Sequence, residues 1–550
     1  MPARSEPAGV SDWVLIEDRA GLNRAAEFSA THGIVAGNAH LAAELARRGI
    51  EHVAGKELQS YDDAIAATMA AEADLAAIRP QLSTLTEPLQ AIMLAILARE
   101  SLRHHALRSA ERNLQARMWQ TGPSGLEPVS GRVSSIRKRH SPAQAVMPRM
   151  MRGTSYVLDF CSTTGQKGHS TRQAVLQPRL SRRPVWQDFT LNALAMTAVR
   201  MRPPTPQALR LHLAAPDALH ATPDIVLQSD FADCARQIIT ETAALFSAAE
   251  ATMDRALSAL GAPEIALFNH VGDAAIAGFQ SSLRRARVAC EMSSHGALAA
   301  WGNGPRHRLA TYLGAIYNDF PGMTALRPRA RHQVQTESQD RIVKQVRLKA
   351  SQPEGRHEGA FRIYAAPNFR PWSEGFWGIT NTCFDTVTVL EALSRAVRAL
   401  DDISLFLRIK LTAKDLAKPK KRPVNRGLFP DDIAHLIDPS RGIHDASSGA
   451  HSRYLADADL VVTEGLTAVM FEALEMRCPV LLIVPDHRAA PALPAASVQR
   501  LREPGFRSAV YTANPADNLP EILHLLALAH RGLPLSDAEV APYLWMADDL

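Results

Sequence analysis

The sequence predicts an α/β fold built on parallel sheets, and three stretches of chain predict it. Residues 459–483 read as an apolar strand ending in a polar Thr463-Glu464-Gly465 turn, then a helix, then Pro479 and a second apolar strand. That order is the βαβ crossover from which parallel sheets are built. Residues 263–292 repeat it, with a strand at 263–270, a helix at 274–287 and a short strand at 288–292. Residues 361–410 do so again, with a strand at 361–366, an amphipathic helix at 386–400 and a strand at 403–410.

The remaining elements follow in chain order. Residues 13–16 form a short strand, the chain turns into a helix near residue 24, and a second helix at 40–48 is closed by Gly49. From 62 to 120 the chain is rich in Ala, Leu, Glu and Arg at helical spacing and nearly free of Gly, which predicts two or three helices elaborating the first domain. Residues 121–148 are rich in Pro, Gly, Ser and Arg and read as a loop or linker. Residues 154–227 carry little pattern. Their Gly165, Lys167 and Ser170 superficially suggest a phosphate loop but lack the Gly-x4-Gly-Lys-Ser/Thr spacing. A long Ala-rich helix spans 231–260. The charged stretch 327–358 is the natural linker, dividing the chain into units of roughly 1–335 and 345–550. Residues 439–451 read as a loop and 520–531 as a late helix with Pro520 in its first turn.

Composition narrows the function classes. The 46% hydrophobic and 21% charged fractions are ordinary for a globular protein, and 550 residues suffice for several domains. Lys plus Arg exceeds Asp plus Glu by five, 61 against 56. That excess suits anionic partners such as a sugar nucleotide or an anionic membrane face, and it is too small to indicate nucleic acid. The five cysteines (Cys161, Cys234, Cys290, Cys383, Cys478) are scattered, so neither a disulfide framework nor a zinc site is expected, and a reducing cytoplasm is the expected location. The first residues lack a signal peptide's apolar core and no run of eighteen apolar residues occurs, so any membrane contact is expected to be peripheral. The cations Lys414, Lys418, Lys420, Lys421 and Arg422 form either a solvated loop or a rest on anionic lipid.

The chemistry concentrates in two carboxylates. Glu464 stands at the turn of the last βαβ unit, and Glu472 interrupts a helix that is apolar on most faces from 466 to 476. A carboxylate there is costly unless paired. A bound ligand is one partner; solvent or an arginine is the other reading. The helix start after Gly465, including Thr467, offers free N–H groups and the positive end of the macrodipole to a phosphate. Upstream, Arg408 and Lys410 fall on one side of the strand at 403–410, where a fork and a point charge suit a donor phosphate or defend a strand edge. Asn269 and His270 end the strand at 263–270, and His295-Gly296 follows the strand at 288–292. In open α/β sheets ligands bind at such carboxyl ends. An imidazole there can move a proton near neutral pH, and glycine lets a backbone approach closely.

The spacing Glu464-x7-Glu472, within Thr-Glu-Gly-Leu-Thr-Ala-Val-Met-Phe-Glu-Ala-Leu and closed by Cys478-Pro479-Val480, resembles the Glu-x7-Glu motif of GT-B glycosyltransferases. His295-Gly296 resembles the His-Gly pair of bacterial capsule and teichoic-acid transferases of that fold. The resemblance implies two facing Rossmann-like domains with helical elaboration of the first. It implies transfer of a sugar from a nucleotide-activated donor to a surface-glycan or lipid-linked glycan acceptor, with no metal and no further cofactor. Donor contacts fall on Arg408, Lys410, Gly465, Thr467 and Glu472, catalytic roles on Glu464 and His295, and the acceptor side on Asn269, His270 and Gly296. The chain departs from related capsule transferases where their strand runs into His-Pro, since Leu411-Thr412 stands here. Glu-x7-Glu is associated with retaining enzymes and His-Gly with inverting ones, so the stereochemical course stays open. A nucleotide-sugar 2-epimerase of the same fold and a non-catalytic assembly protein are the alternatives.

Overall fold

A computed structural model describes residues 12–122, 125–129, 149–152, 156–160, 207–208, 213, 218–263, 265–268, 271, 273–293, 309, 311–312, 320–326, 359–367, 382–409, 428–448, 451–464, 468–484 and 500–540. Three sheets organise them. The first comprises β1 (Asp12–Ile16), β2 (Gly33–Ala36), β3 (Val53–Ala54), β4 (Arg117–Gly122) and β5 (Gly125–Pro128), in the order β3-β2-β1-β4-β5. All neighbours are parallel except β4 and β5, which pair antiparallel. Side-chain caps start its crossover helices: Asp18 accepts from the Gly21 N–H at 2.9 Å, and Asn38 from that of Leu41 at 2.9 Å. The predicted helical elaboration is a hairpin between β3 and β4, formed by helices Tyr61–Ile78 and Glu87–Leu114. Residues 117–128, expected as the end of a helix and a linker, instead supply β4 and β5.

The second sheet contains the strands expected at 263–270 and 288–292, together with four that were not anticipated from the sequence. It comprises β6 (Arg149–Arg152), β7 (Tyr156–Asp159), β8 (Gln207–Ala208), β9 (Ile265–Phe268), β10 (Ala289–Ser293) and β11 (Thr324–Leu326), ordered β11-β10-β9-β7-β6-β8. Strands β7, β9, β10 and β11 run parallel, while β6 is antiparallel to both neighbours. Helices Ala232–Leu260 and Ala274–Arg285 cover this sheet and cross closely at Gly278, where a Cβ would lie 2.4 Å from the Phe246 carbonyl oxygen. Only a residue without a side chain fits there.

The third sheet comprises β12 (Phe361–Ala365), β13 (Ile403–Leu407), β14 (Ile443–Asp445), β15 (Leu460–Thr463), β16 (Val480–Ile483) and β17 (Val510–Ala513). Every neighbour is parallel, and the order β14-β13-β12-β15-β16-β17 is 3-2-1-4-5-6 in sequence terms, the Rossmann arrangement. The first sheet has the same reversal, between β1 and β4. The expectation of Rossmann-like units with a helical addition to the amino-terminal one is therefore met. The strand expected over 403–410 ends at Leu407, and β14 lies where a loop was expected. The division placed between 335 and 345, the cationic run 414–422 and the stretch resembling a phosphate loop lie outside the described residues.

One buried carboxylate joins the helix after β2 to the segment before β14. Asp432 lies in the 3-10 segment Pro430–Leu436, and its side chain is 2% exposed. It bonds His40 Nδ1 at 2.8 Å, takes the Phe429 N–H at 2.9 Å and pairs with Arg47; His40 and Arg47 both belong to helix Ala39–Arg47. The His40 ring stands edge-on to Phe429 at 4.6 Å, and the Ala39 N–H meets Cys383 Sγ at 3.3 Å. Burial pushes the Cys383 thiol up to about 12, so it serves as a neutral packing group.

His530 supplies an acid-sensitive element. It is buried at the end of helix Leu519–His530, its Nε2 lies 2.7 Å from the Tyr511 hydroxyl, and burial pushes it down to about 4. Between about pH 6.5 and 4 the unfolded chain then carries a proton that the native chain lacks, so stability falls as pH falls through that window. The loss reaches about 3 kcal/mol. Urea denaturation at pH 7.5 and 4.5 should show a smaller acid loss for His530→Gln than for the unaltered chain; equal losses would refute this role.

Candidate functional site

The reversal of strand order between β12 and β15 is where an open α/β sheet leaves a crevice, because the chain connections diverge to opposite faces there. Several polar side chains collect at this carboxyl edge. Glu464 is the first residue past β15 and is buried at 5% exposure. Its Oε2 accepts from Thr386 Oγ1 at 2.9 Å. Thr386 is itself buried, in the first turn of helix Cys383–Arg398, which follows β12 in the chain. That helix is started by a capping box, in which Thr382 and Asp385 each bond the other's backbone N–H.

Glu472 lies in helix Ala468–Glu475, between β15 and β16. Its side chain is 17% exposed, and Oε2 lies 2.9 Å from His451 Nε2. His451 opens helix His451–Asp457, which leads into β15. Its other ring nitrogen, Nδ1, lies 2.7 Å from the hydroxyl of Tyr364, the penultimate residue of β12. Burial pushes the Tyr364 phenol up, so it keeps its proton and donates to Nδ1. His451 then donates from Nε2 to Glu472, the one arrangement that satisfies all three groups. Tyr454 stacks beside Tyr364 with ring centres 6.0 Å apart. The outcome is a carboxylate of fixed orientation with part of its surface open at the sheet edge.

Arg408 directly follows β13. Its backbone N–H continues the ladder to the Ala365 carbonyl at 2.9 Å, and its Nη1 donates to the Ala446 carbonyl at 3.2 Å. Its charge acts on Tyr364, drawing that phenol down against the larger effect of burial. Ser447, past β14, accepts from the Ile409 N–H at 3.0 Å. Leu407 and Ile409 are fully buried and Arg408 half-buried, as the alternation along this stretch requires.

Of the residues singled out from the sequence, Glu464 and Arg408 therefore directly follow β15 and β13 at one sheet edge, and Glu472 lies in the helix after β15. Lys410, Gly465, Thr467, Asn269, His270, His295 and Gly296 lie outside the described residues. Sequence reasoning missed Tyr364, Thr386 and His451. A tyrosine at the end of an otherwise apolar strand and a histidine opening the helix before the motif strand were the available signals, and neither spacing indicates that the two meet. In the first sheet, the corresponding edge holds Glu17, which pairs with Arg103 at 3.3 Å, while Arg103 also donates to Gln120 at 3.0 Å.

No protein-family model and no curated protein matches the sequence. Solved structures do resemble the chain. MurG from Acinetobacter baumannii is 9% identical, with 70% of this chain and 96% of that one covered at a TM-score of 0.31. UDP-GlcNAc 2-epimerase from Neisseria meningitidis, bound to UDP-GlcNAc, is 10% identical over 69% and 97% at 0.29. A UDP-forming α,α-trehalose-phosphate synthase from Burkholderia xenovorans is 13% identical over 56% and 75% at 0.30.

Thr386→Ala should destabilise the chain by about 1.5–3 kcal/mol in urea denaturation, since it withdraws a hydroxyl from a buried carboxylate. Thr386→Ser should recover most of that loss. A neutral Thr386→Ala would mean that Glu464 does not depend on this bond.

Proposed function

We propose that the chain is a nucleotide-sugar enzyme of GT-B type, a glycosyltransferase that moves a sugar from a nucleotide-activated donor to a surface-glycan or lipid-linked glycan acceptor. The observation that carries this reading is the oriented carboxylate of Glu472 beside the strand-order reversal of a Rossmann sheet. A carboxylate so placed accepts hydrogen bonds from a pair of ribose hydroxyls. The Glu-x7-Glu resemblance assigns Glu472 the same role.

In this reading the donor lies on the carboxy-terminal unit, 345–550, with its phosphates toward Arg408, Lys410 and the helix start after Gly465 and Thr467. The acceptor lies on the amino-terminal unit, 1–335, against Asn269, His270 and Gly296. Transfer breaks the bond between the sugar's anomeric carbon and the phosphate oxygen and forms one to an acceptor oxygen. The phosphate leaves with the bonding electron pair, and the acceptor's proton passes to a base, the role given to His295. Catalysis is then positioning plus stabilisation of the departing phosphate by cations and backbone N–H groups. Glu464, held by Thr386, takes the donor-sugar side that the Glu-x7-Glu resemblance gives it. A peripheral seat at an anionic membrane face fits the cationic run at 414–422, and no helix of the described residues is long and apolar enough to cross a membrane.

Thermal unfolding against a panel of nucleoside diphosphates tests the donor site. A cognate nucleotide at about a hundred times its Kd should stabilise the chain by about 2.7 kcal/mol. Glu472→Gln should keep the ligand-free midpoint near its original value and lose most of the nucleotide-dependent shift. No response to any nucleotide would overturn the reading. Incubation with the responding nucleotide's sugar conjugate alone then separates the reaction classes: a transferase leaves it intact or hydrolyses it slowly, whereas conversion to the 2-epimer would identify an epimerase.

A further inference from the structure

A second cluster of chemistry-bearing side chains lies away from this site, where the amino-terminal helical hairpin meets the long helix of the middle sheet. His104 and His105 are adjacent in helix Glu87–Leu114, and Asp230 stands just ahead of helix Ala232–Leu260. One ring nitrogen of each histidine and one carboxylate oxygen of Asp230 all lie within 4.8 Å of one another. His104 Nε2 is 2.9 Å from Asp230 Oδ1, and the two imidazole ring centres are 5.3 Å apart with their planes at 88°. Two imidazoles bound to one tetrahedral ion at the usual metal–nitrogen distance of about 2.0–2.1 Å place their ring centres about 5 Å apart. The ring centres of His104 and His105 have that spacing.

The surroundings are those that orient metal ligands. Asp74 lies 2.8 Å from His105 Nε2, and it is fixed in turn by the hydroxyls of Ser101 and Ser229, each at 2.7 Å. A carboxylate bonded to an imidazole in this way sets the ring's orientation and raises its basicity as a ligand. Arg108 donates to Asp230 Oδ2 at 3.1 Å, which turns the other oxygen toward His104. Asp230 is half exposed, so an ion has an open path from solvent, and water can complete its coordination.

We propose that His104, His105 and Asp230 form a binding site for a divalent transition-metal ion of the zinc class, with Asp74 as the group that orients His105. Two imidazoles and one carboxylate suit zinc and its neighbours, whereas calcium and magnesium prefer all-oxygen sets. The ion would tie a helix of the first unit to a segment 126 positions further along the chain. Its effect falls on how these two regions hold together, and it needs no part in the chemistry at β12 and β15.

The test uses the full chain, stripped with a chelator and titrated with zinc chloride alone by calorimetry, with cobalt(II) absorption as a second readout. One equivalent of zinc should bind at micromolar or tighter Kd, raise the thermal midpoint, and give a cobalt spectrum of low coordination number. Asp230→Ala, at an exposed position, should weaken binding by about tenfold or more while leaving the metal-free thermal midpoint near its original value, and His105→Ala should abolish the one-equivalent site. Absence of stoichiometric binding, or a Kd left unchanged by Asp230→Ala, would overturn the proposal.

Discussion

The hydrogen bond from His451 to Glu472 is the constraint on which the candidate site depends. A carboxylate set into an otherwise apolar helix is expensive unless a partner meets it, and a flexible cation would meet it without fixing its direction. A rigid imidazole, itself held at its far side by Tyr364, does fix it. Because Tyr364 belongs to β12, His451 to the helix before β15 and Glu472 to the helix after it, one chain of two bonds pins three successive parts of the sheet's central crossing. The polar edge and the apolar core are thus fixed by the same residues.

Glu464 follows the same logic by another route. Its carboxylate is the more deeply buried of the pair, and its partner comes from the helix after β12. The two glutamates are therefore tied to opposite flanks of the strand-order reversal. At the other edge of the same strands, Asp459 accepts from the Arg362 N–H at 2.9 Å, so β12 and β15 are fastened together at their amino ends as well. A crevice can stay open at the carboxyl ends because the strands cannot drift apart elsewhere.

How much of this was legible follows from the range of the interactions. The βαβ run 459–483 announced itself because fully buried parallel strands read as continuous apolar stretches, and Leu460 to Thr463 are all buried. The two glutamates and Arg408 were visible as polar residues in apolar surroundings. Three-residue β14 has one apolar side chain facing the core, too little to show a period. Of the middle sheet, β9 and β10 were legible, whereas β6, β7 and β8 were missed because they are short and widely separated, and β6 pairs antiparallel, so no local repeat marks them. Tyr364 and His451 stand 87 positions apart, and only the parallel pairing of β12 with β15 makes them neighbours.

The Asp432 junction carries a mechanical consequence. Its carboxylate is shut away from solvent between His40 and Arg47 of one unit and the backbone of the other, so salt in the medium screens it weakly. Pulling the two sides apart at this point would break the bonds of His40 and Arg47 to that carboxylate together, whereas rotating about it can keep them. Any swing of one Rossmann unit against the other is thereby steered to pivot at the helix Ala39–Arg47 contact, with the largest travel reserved for surfaces most distant from it.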